Sequence, residues 1–518
     1  MAASEELSEE LQEEAELEQF GYQPQFQRTF RLFASFAIGF SFISITTGIF
    51  TTYGSVLLSS GPVGIWTWPL VIVGQLAVAL VFAALASRIP LAGYSYQWMS
   101  RLANPYIGWL VGWLAFAFLV VDVVAVDYAV ASTVLPTLFS YLGTEANTWL
   151  ATALIVIVQA LLIMVSTMWT RRVNNAAVST EIIGVGGLTV LLLIVGAARG
   201  LLNWGHLFSR AAIPAAGYFG FGGGTHDSPW LLAFLLGAFT IVGFEACGNL
   251  AEETKEPGIV VPRAMWGSVV VSGVIGFAFL IAITASTGNL KVLTASSTPV
   301  ADVVIRVLGS VIGKIFLVIV LYSIFACGLV IFVTATRLSW AMSRDERFPG
   351  WQALRRVNPR FDSPAVATVT VGILIEIVLA VFATRTDALF KLFSAATLMP
   401  ALIYLVTTIL YVFARRRLPG THGFRLGRWE IPVVTVALVW LVFEMSIFRD
   451  SSFAAPWLYA AVMMGIGLIY FVFLLVTHRS FEMPSGTRSF GPGDQLAEPD
   501  IPGPGEPPAG PAAGGVAP

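Results

Sequence analysis

Cysteine and charged residues are scarce in this chain of 518 residues. The two cysteines, Cys247 and Cys327, both lie within apolar stretches, so the sequence predicts no disulfide framework and we expect two small packing residues. Charged residues make up 12% of the chain and hydrophobic residues 56%, which excludes an ordinary soluble domain. The net charge of −2 is uninformative about partners. The sequence contains no nucleotide-binding cassette, zinc-protease motif or cluster of metal ligands, so we expect no cofactor, no metal and no nucleic-acid partner.

Long apolar stretches are abundant instead. Twelve of them reach or approach the ~20 residues that an α-helix needs to cross a bilayer. They lie at residues 32–58, 66–87, 106–136, 148–168, 179–198, 230–250, 264–286, 311–336, 364–383, 388–414, 431–448 and 457–477. The sequence therefore predicts an all-α membrane protein with twelve transmembrane helices, surrounded by the lipid bilayer.

The placement of lysine and arginine predicts the orientation of the chain. When alternate loops are assigned to the side of the N-terminus, that side holds 21 of the 29 basic residues and the other side holds 8. We therefore expect a multi-pass protein of the plasma membrane with both termini in the cytoplasm. The first 20 residues are acidic and do not resemble a cleavable signal peptide, so we expect the first span to act as the membrane signal.

The two ends of the chain differ in composition from the rest. Residues 1–27 are predicted to be an acidic cytoplasmic tail, because residues 1–19 alone carry eight glutamates. Residues 480–518 are rich in Gly, Pro and Ala and are predicted to be a disordered cytoplasmic tail. The membrane domain is predicted to occupy residues 28–479 between them.

Two of the apolar segments contain residues that interrupt a membrane helix. The first segment includes SFISITTGI at residues 41–49, and the sixth includes GAFTIVGFEACGNL at residues 237–250. Non-helical backbone at membrane depth is tolerated only where it lines a cavity or is buried in protein. Interrupted segments at corresponding positions of the two halves of a chain indicate a transporter binding site. We therefore place a candidate site between segments one and six.

Three loops on the side of the N-terminus resemble those of a known family. The stretch RIPLAGYSY at residues 88–96 is similar to a proline–glycine–tyrosine segment of amino acid permeases. The stretch EETKEP at residues 252–257, followed by PRA at residues 262–264, resembles the acidic signature of the same family. The stretch TRLSWAMSRDERFP at residues 336–349 resembles its S-R-x-x-x-A-x-x-R-D-x-x-x-P loop. Residues 28–478 thus resemble the amino acid–polyamine–organocation superfamily, closest to the bacterial and fungal amino acid, GABA and choline permeases.

This resemblance implies a fold and an activity. The fold would be leucine-transporter-like, with inverted five-helix repeats at about residues 28–200 and 226–418 and two extra helices within residues 429–478. Members of the superfamily generally move amino acids or organic amines, often coupled to a proton gradient. Some relatives carry a proton-coupling lysine in the fifth span. This chain has no lysine there, so that mechanism cannot be transferred.

The first interrupted segment is predicted to bind a carboxylate. Free N–H groups near Thr46, Thr47 and Gly48, together with the helix dipole, would form an anion site at the start of the outer half-helix, beside Ser44. The alternative is an intact helix that is merely bent, because Ser and Thr hydroxyl groups can bond back to the carbonyl four residues earlier.

The second interrupted segment is predicted to bind an amino group. Freed carbonyl groups between Ile241 and Gly243 would accept its hydrogen bonds, and Phe239 or Phe244 could cover it by a cation–π contact. Aromatic residues at helical spacing can equally be packing residues.

Glu245 and Asp122 are the candidate coupling or gating residues. A charged group near the centre of a bilayer is costly, so Glu245 is expected to face the interior of the bundle and to carry a proton or gate the site. Asp122 lies near the middle of the third span. The alternative for both is a structural link between helices.

Other intramembrane carboxyl groups carry weaker predictions. Asp127 would point about 140° away from Asp122 around the third helix and is expected to approach the outer surface. Glu181 is expected near the membrane interface, at the cytoplasmic entry of the fifth span.

The sequence therefore predicts a secondary active transporter and not an enzyme. It would import an amino acid or a related amine such as GABA by alternating access, coupled to a proton or possibly to sodium. The alternatives are a permease for choline, ethanolamine or a polyamine, an exchanger, and a sensor that binds an amine without net transport.

Overall fold

Every regular element in the described part of the chain is helical. The computed structural model describes residues 20–477, apart from residues 24, 26–27, 140–143, 166, 224–225, 297, 359–362, 383–387 and 422. The α-helices are α1 Leu32–Ile43, α2 Ile45–Ser59, α3 Thr67–Ala86, α4 Tyr94–Leu102, α5 Pro105–Ala129, α6 Leu135–Leu138, α7 Glu145–Val165, α8 Thr167–Ala198, α9 Pro229–Thr240, α10 Ala246–Asn249, α11 Pro257–Ala285, α12 Leu290–Thr294, α13 Pro299–Leu308, α14 Ser310–Arg344, α15 Trp351–Leu354, α16 Ala365–Phe382, α17 Ala388–Ala414, α18 Glu430–Ile447 and α19 Ala454–Val476. Short 3₁₀ segments occur at Pro62–Trp66, Trp204–Phe208, Ala251–Glu253, Gly427–Trp429 and Ser451–Phe453, and a π-helical turn at Val130–Val134 joins α5 to α6.

Eleven helical segments of the described residues are long and apolar enough to cross a membrane. The first of them, Leu32–Ser59, combines α1 and α2. The predicted sixth segment, residues 230–250, is divided into the shorter apolar helix α9 and the single turn α10. The chain is therefore an all-helical, multi-pass protein, whereas the predicted count of twelve spans is not confirmed. The counts differ because the sixth segment is interrupted, as the sequence predicts, and its helices are too short to be counted as a span.

Sequence signals at the helix starts explain where several spans begin. Asn104 precedes Pro105, and its side chain accepts a hydrogen bond from the amide of Ile107 at 2.9 Å. Ser228 precedes Pro229 and accepts from the amide of Leu231 at 3.4 Å. Asn and Ser are preferred N-cap residues, and Pro is well tolerated at the first helical position. These caps define the starts of α5 and α9.

The first span lies inside the bundle and the last lies at its edge. In the most apolar part of Leu32–Ser59, 83% of the residues are buried, against 17% in Ser451–Val476. The half-helices α1 and α2 pack against α11, α8, α14 and α9, and α9 also packs against α3 and α17. The two interrupted segments are thus in contact at the centre of the molecule, enclosed by the other spans.

Contacts between the remaining spans pair the two halves of the chain. The helix α3 packs against α11, and α5 packs against α14. The helix α8 of the first half contacts α14, and α17 of the second half contacts α5. Two inverted repeats would place equivalent helices in such reciprocal contacts. The repeat boundaries at residues 28–200 and 226–418 remain predictions.

The predicted tails lie mostly outside the described residues. Residues 1–19 and 480–518 belong to that part of the chain. Within the predicted N-terminal tail, however, Phe20 and Tyr22 are buried against the membrane domain, at 2% and 6% exposure. The ordered structure therefore begins before residue 28.

Candidate functional site

The first span is interrupted at one residue, Ser44. Its backbone has φ 36° and ψ 93°, which ends α1 and starts α2. A positive φ is unusual for a residue with a side chain, and such conformations concentrate at functional sites. The interruption predicted within residues 41–49 is therefore present, and it is made by Ser44 and not by Gly48. Gly48 lies inside α2, where its amide donates to the carbonyl of Ser44 at 3.1 Å.

The first free amide groups of α2 are already bonded to a carboxyl group of the protein itself. One oxygen of Glu181, on α8, accepts hydrogen bonds from the Thr46 amide at 3.1 Å and the Thr46 hydroxyl at 2.9 Å. The Ser44 hydroxyl also donates to this oxygen, at 3.4 Å. The amide and hydroxyl of Thr47 donate to the Ser44 side chain, at 3.3 Å and 2.7 Å. The predicted anion site thus exists, and Glu181 fills it.

The expectation that Glu181 lies near the membrane interface is wrong. Its exposure is 1%. The predicted fifth span began at residue 179, whereas α8 begins at Thr167. Fourteen residues of α-helix place Glu181 roughly 21 Å from that start, deep within the bundle. The helix continues through the polar stretch of residues 170–176, which hydropathy alone excludes from a span.

Gly48 has a different role from the one predicted. A Cβ atom at this position would overlap the Thr240 hydroxyl group on α9. The absence of a side chain therefore lets α2 and α9 approach closely, just beyond the two breaks. Small residues serve this purpose in membrane helix packing generally.

The sixth segment leaves the helical path between Thr240 and Ala246. Gly243 has φ 81°, and its amide donates to the Tyr404 hydroxyl on α17 at 2.9 Å. A Cβ atom at Gly243 would overlap the Phe42 ring of α1. Within the described residues, no N–H or O–H group donates to the carbonyl oxygens of Ile241 and Val242. Free carbonyl groups are therefore present at Ile241 and Val242, whereas the Gly243 carbonyl accepts from the Ala246 amide at 3.0 Å.

Glu245 lies buried just after that break. Its exposure is 2%, and one of its carboxyl oxygens accepts a hydrogen bond from the Tyr404 hydroxyl at 2.5 Å. Because Tyr404 also accepts from the Gly243 amide, one tyrosine connects the carboxyl group to the bent backbone. A change in the protonation of Glu245 would thus act directly on the conformation of the break.

Asp122 is buried near the same point without a hydrogen-bond partner among the described residues. Its exposure is 3%, and it is close enough to Glu245 for the two carboxyl groups to interact electrostatically. It lies one helical turn from Phe118, whose ring packs against Phe42 at 6.2 Å between centroids. The Phe42 ring in turn covers Gly243. Asp122 is therefore next to both breaks.

The expectation that Asp127 approaches the outer surface is wrong. Its exposure is 0%, and its carboxyl group accepts a hydrogen bond from the side-chain amide of Gln159 on α7 at 2.9 Å. The third span continues beyond Asp127 through the π-helical turn to Leu138, so this residue is still well inside the bundle. Asp127 forms the structural link between helices that was the alternative for this span.

The two predicted aromatic residues have different surroundings. Phe239 is at the end of α9, and its ring contacts that of Phe393 edge to face at 4.4 Å between centroids. Phe244 is completely buried, with its ring against those of Phe82 and Tyr404. Phe239 is therefore the one that borders an open space.

A cavity of about 620 Å³ adjoins Phe239. It lies between α2, α9 and α17 and extends to Asp227 and Asp450 in the loops of the bundle end opposite to the start of α1. Hydroxyl groups of Thr52 and Ser55 line one side. The cavity extends from that end of the bundle to Phe239 and Phe393, and Phe239 lies two residues before Ile241 of the second break.

The opposite end, where α1 begins, is closed by polar contacts. Arg344 at the end of α14 forms two hydrogen bonds with Glu252, at 2.9 Å and 3.1 Å. Asp345 accepts from the Tyr22 hydroxyl at 3.0 Å and from the Tyr96 hydroxyl at 2.6 Å. These residues come from the loops that resemble the permease motifs. Their interactions join the N-terminal segment, α4 and α14 across this end.

The polar groups at the two breaks are hydrogen-bonding groups of the kind that bind a small molecule. In the part of the chain that the structure describes, no three His, Cys, Asp or Glu side chains are arranged to hold a metal ion. The site instead combines free carbonyl groups, hydroxyl groups and three buried carboxyl groups. Such a set can bind a small organic amine.

Comparison with known families identifies the chain. The model of the family described as "Amino acid permease" matches residues 30–477. The chain belongs to the amino acid permease family. This family is part of the amino acid–polyamine–organocation superfamily. Its members are transporters and not enzymes, so the chain is a multi-pass membrane permease.

Similar proteins differ in the substrates that their names state. "Amino-acid permease BAT1" of Arabidopsis thaliana is 25% identical over 451 residues, covering 82% of this chain and 86% of the relative. "Thiamine transporter thi9" of Schizosaccharomyces pombe is 24% identical over 497 residues, 87% and 83% of the two chains. A "Putative polyamine transporter" of Candida albicans is 23% identical over 506 residues, 94% and 90% of the two chains.

Proposed function

We propose that this permease imports a small organic amine across the plasma membrane by alternating access, coupled to protons. The substrate is an amino acid or a related amine, including the carboxylate-free amines as a class. The observation that carries the proposal is the contact between the two interrupted segments next to the buried Asp122 and Glu245, with a cavity that ends at the nearby Phe239.

The amine is proposed to bind at the break of the sixth segment. The carbonyl groups of Ile241 and Val242 have no donor among the described residues, and Asp122 has none either. A buried acceptor without a partner is costly, so a ligand with N–H donors supplies what this site lacks. Phe239 would cover the ammonium group from the side of the cavity.

The names of similar proteins are compatible with this range of substrates. Amino acids, thiamine and polyamines all contain a positively charged nitrogen, and relatives named for each of them match most of this chain. The shared chemical feature is the cation and not the carboxylate. We therefore propose that recognition depends mainly on the positively charged nitrogen of the substrate.

Proton coupling is proposed to use Glu245. This carboxyl group is buried, and its hydrogen bond with Tyr404 connects it to the Gly243 amide. Protonation would change the acceptor for Tyr404 and thereby the geometry of the break. A sodium ion is the alternative coupling ion. The proposed orientation keeps the charge-count assignment, with both termini in the cytoplasm and the cavity facing outward.

Uptake by the purified protein in liposomes tests this function. We expect an inward proton gradient to drive accumulation of a labelled amine or amino acid, while a sodium gradient at equal pH on both sides does not. Counterflow of the labelled compound distinguishes a transporter from a sensor, because a sensor binds without exchange. Accumulation driven by sodium alone would contradict proton coupling.

The variant Glu245→Gln isolates the coupling step. Gln is nearly isosteric and can still accept a hydrogen bond from Tyr404, so we expect a folded protein that retains counterflow. Proton-driven accumulation should fall at least about tenfold, which corresponds to ~1.4 kcal/mol of coupling free energy. The control is Glu444→Gln, because Glu444 is equally buried but contacts Gln75 on α3, away from the breaks. Equal accumulation by both variants would show that Glu245 has a structural role and does not couple transport to protons.

A further inference from the structure

The anion site at the start of α2 contains a carboxyl group that belongs to the protein. The Glu181 oxygen accepts three hydrogen bonds, from the Thr46 amide and hydroxyl and from the Ser44 hydroxyl. The Ser44 hydroxyl is free to donate to Glu181, because Thr47 donates both of its hydrogen bonds to the Ser44 oxygen. The donors of Thr46 are therefore directed at one Glu181 oxygen, and those of Thr47 reach the same oxygen through the Ser44 hydroxyl.

This arrangement leaves no free donor on Ser44, Thr46 or Thr47 for the carboxylate of a substrate. A carboxylate at a helix start is stabilised by the unpaired amide groups and by the helix dipole. An arriving substrate carboxylate would have to displace Glu181 and leave its negative charge buried nearby. Two carboxylates that share one site repel each other strongly.

A second observation concerns the charges around the breaks. Asp122 and Glu181 both lie within electrostatic reach of the Cys327 side chain on α14, whose sulfur is 3.4 Å from the carbonyl oxygen of Phe42. The two carboxyl groups thus surround the end of α1 from different helices. Asp122 has no hydrogen-bond partner among the described residues.

None of the buried basic side chains that the structure describes lies beside these groups. Among the described residues, the buried basic side chains are Arg101, Arg337 and Arg347. All three lie at the end of the bundle where α1 begins, and Arg337 is paired with Glu253 at 2.8 Å. The centre of the bundle therefore combines unpaired acceptors and carboxyl groups with no basic side chain.

We infer that Glu181 takes the place of a substrate carboxylate, so that this permease selects cationic amines that lack a carboxylate adjacent to the bound nitrogen. The inference rests on the proposed function, because it assumes that the substrate binds between the two breaks. It assigns the ammonium group to Asp122 and the carbonyl groups of the sixth segment, and it makes Glu181 a specificity-determining residue.

Pairs of compounds that differ only in the carboxylate test this inference. Suitable pairs are ornithine and putrescine, and arginine and agmatine. The first measurement is binding, as the ligand-induced rise in the unfolding temperature of the purified protein. The second is uptake of the same compounds into liposomes. For at least one pair, we expect the carboxylate-free member to bind at least tenfold more tightly to the wild-type protein.

Two variants of Glu181 separate its charge from its shape. Glu181→Ala frees the Thr46 donors, so we expect the preference within a pair to shift at least tenfold toward the carboxylate-bearing member. Glu181→Gln still accepts from Thr46 but has no charge. This variant is expected to weaken binding of the cationic amine several-fold without opening the site to the amino acid. Glu444→Gln, a buried carboxyl group elsewhere, should keep the wild-type preference.

The outcomes separate this inference from the proposed function. If the wild-type protein prefers the carboxylate-bearing members, Glu181 moves aside for the substrate, and the inference is wrong while transport stands. The inference is also wrong if none of these compounds raises the unfolding temperature of the protein. If carboxylate-free amines bind with the expected preference but are never taken up, the specificity is right and the transport function is wrong.

Discussion

Close contact between the half-helices α2 and α9 depends on one glycine. A Cβ atom at Gly48 would overlap Thr240, so Gly48→Ala must push the two half-helices apart. Overpacking of this kind costs about 1–3 kcal/mol. We expect a measurable fall in the unfolding temperature and a larger loss of ligand binding, because the displaced helices carry the site.

The control for this variant is Gly187→Ala on α8. A Cβ atom at Gly187 meets no other atom within 4 Å. Alanine is also a better helix former than glycine by up to about 1 kcal/mol. We expect binding to be unchanged and stability to be equal or slightly higher. Equal behaviour of the two variants would show that α2 and α9 do not need this contact.

The same residues show what could be predicted from the sequence at this scale. The presence of a break in the first span followed from its cluster of Ser, Thr and Gly. Its position at Ser44 did not, because serine adopts a positive φ only where its surroundings hold it there. Here a carboxyl group 137 residues later in the chain does so. Tertiary contacts of this kind carry no local sequence signal.

At the scale of elements, one loop next to the cavity end is predicted to be sensitive to pH. In the 3₁₀ segment Trp204–Phe208, His206 lies between Asn203 and Thr287, with its ring nitrogens 3.0 Å and 2.7 Å from their side chains. The Asn203 amide donates to one nitrogen, so the other carries the proton in the neutral form. Partial burial, and then the nearby Arg306, lower the pKa of His206 below its ordinary value of 6.5.

The sign of the effect follows from proton binding. Between the lowered pKa and the ordinary value of 6.5, the unfolded chain binds more protons at His206 than the folded protein does. The stabilisation is therefore fully present above pH 6.5 and is lost as the pH falls through the folded pKa. We expect a contribution of less than about 1 kcal/mol to stability, because the ring is only partly buried.

This effect can be measured by comparing the thermal unfolding of the wild-type protein and of a His206 variant from pH 8 to pH 5. The wild-type protein should lose more stability on acidification than His206→Gln, whose side chain can still accept from Asn203 but does not titrate. Parallel stability curves for the two proteins would mean that His206 makes no contribution to the pH dependence.

At this scale the sequence predicted helices well and their lengths less well. Apolar stretches located nearly every span, because burial in lipid requires them. The fifth span was placed too late, since α8 continues as a helix through the polar stretch of residues 170–176, where Thr170 and Asn174 are buried. The error mattered for function, because it placed Glu181 at the interface. Hydropathy predicts the position of a helical residue correctly only where the residue is surrounded by lipid.

At the scale of the whole molecule, the structure has one closed end and one cavity. The cavity reaches Phe239 from the loops that contain Asp227 and Asp450. The other end is joined by Asp345, which accepts hydrogen bonds from Tyr22 and Tyr96. In alternating access, the closed end must open and the end with the cavity must close. The Asp345 contacts are therefore expected to stabilise the state described here relative to the state in which the open and closed ends are exchanged.

Removing the Asp345 charge should therefore shift the population between these states. In Asp345→Asn, the hydroxyl groups of Tyr22 and Tyr96 lose a carboxylate acceptor, and hydrogen bonds to charged groups are worth about 1.5–3 kcal/mol each. A shift of 1.4 kcal/mol already changes a two-state ratio about tenfold. Ser55, which is exposed and lines the cavity, reports on this ratio when it is replaced by cysteine.

We expect Asp345→Asn to slow the reaction of a Ser55→Cys protein with a polar thiol reagent several-fold, because the cavity closes as the other end opens. The native Cys247 and Cys327 are buried, so the protein without Ser55→Cys gives the background. Glu346→Gln is the matched control. This neighbouring residue is half exposed and pairs at 3.3 Å with the equally exposed Arg355, so its charge should not affect the two states. Faster or unchanged labelling in Asp345→Asn would show that these contacts do not hold that end of the bundle closed.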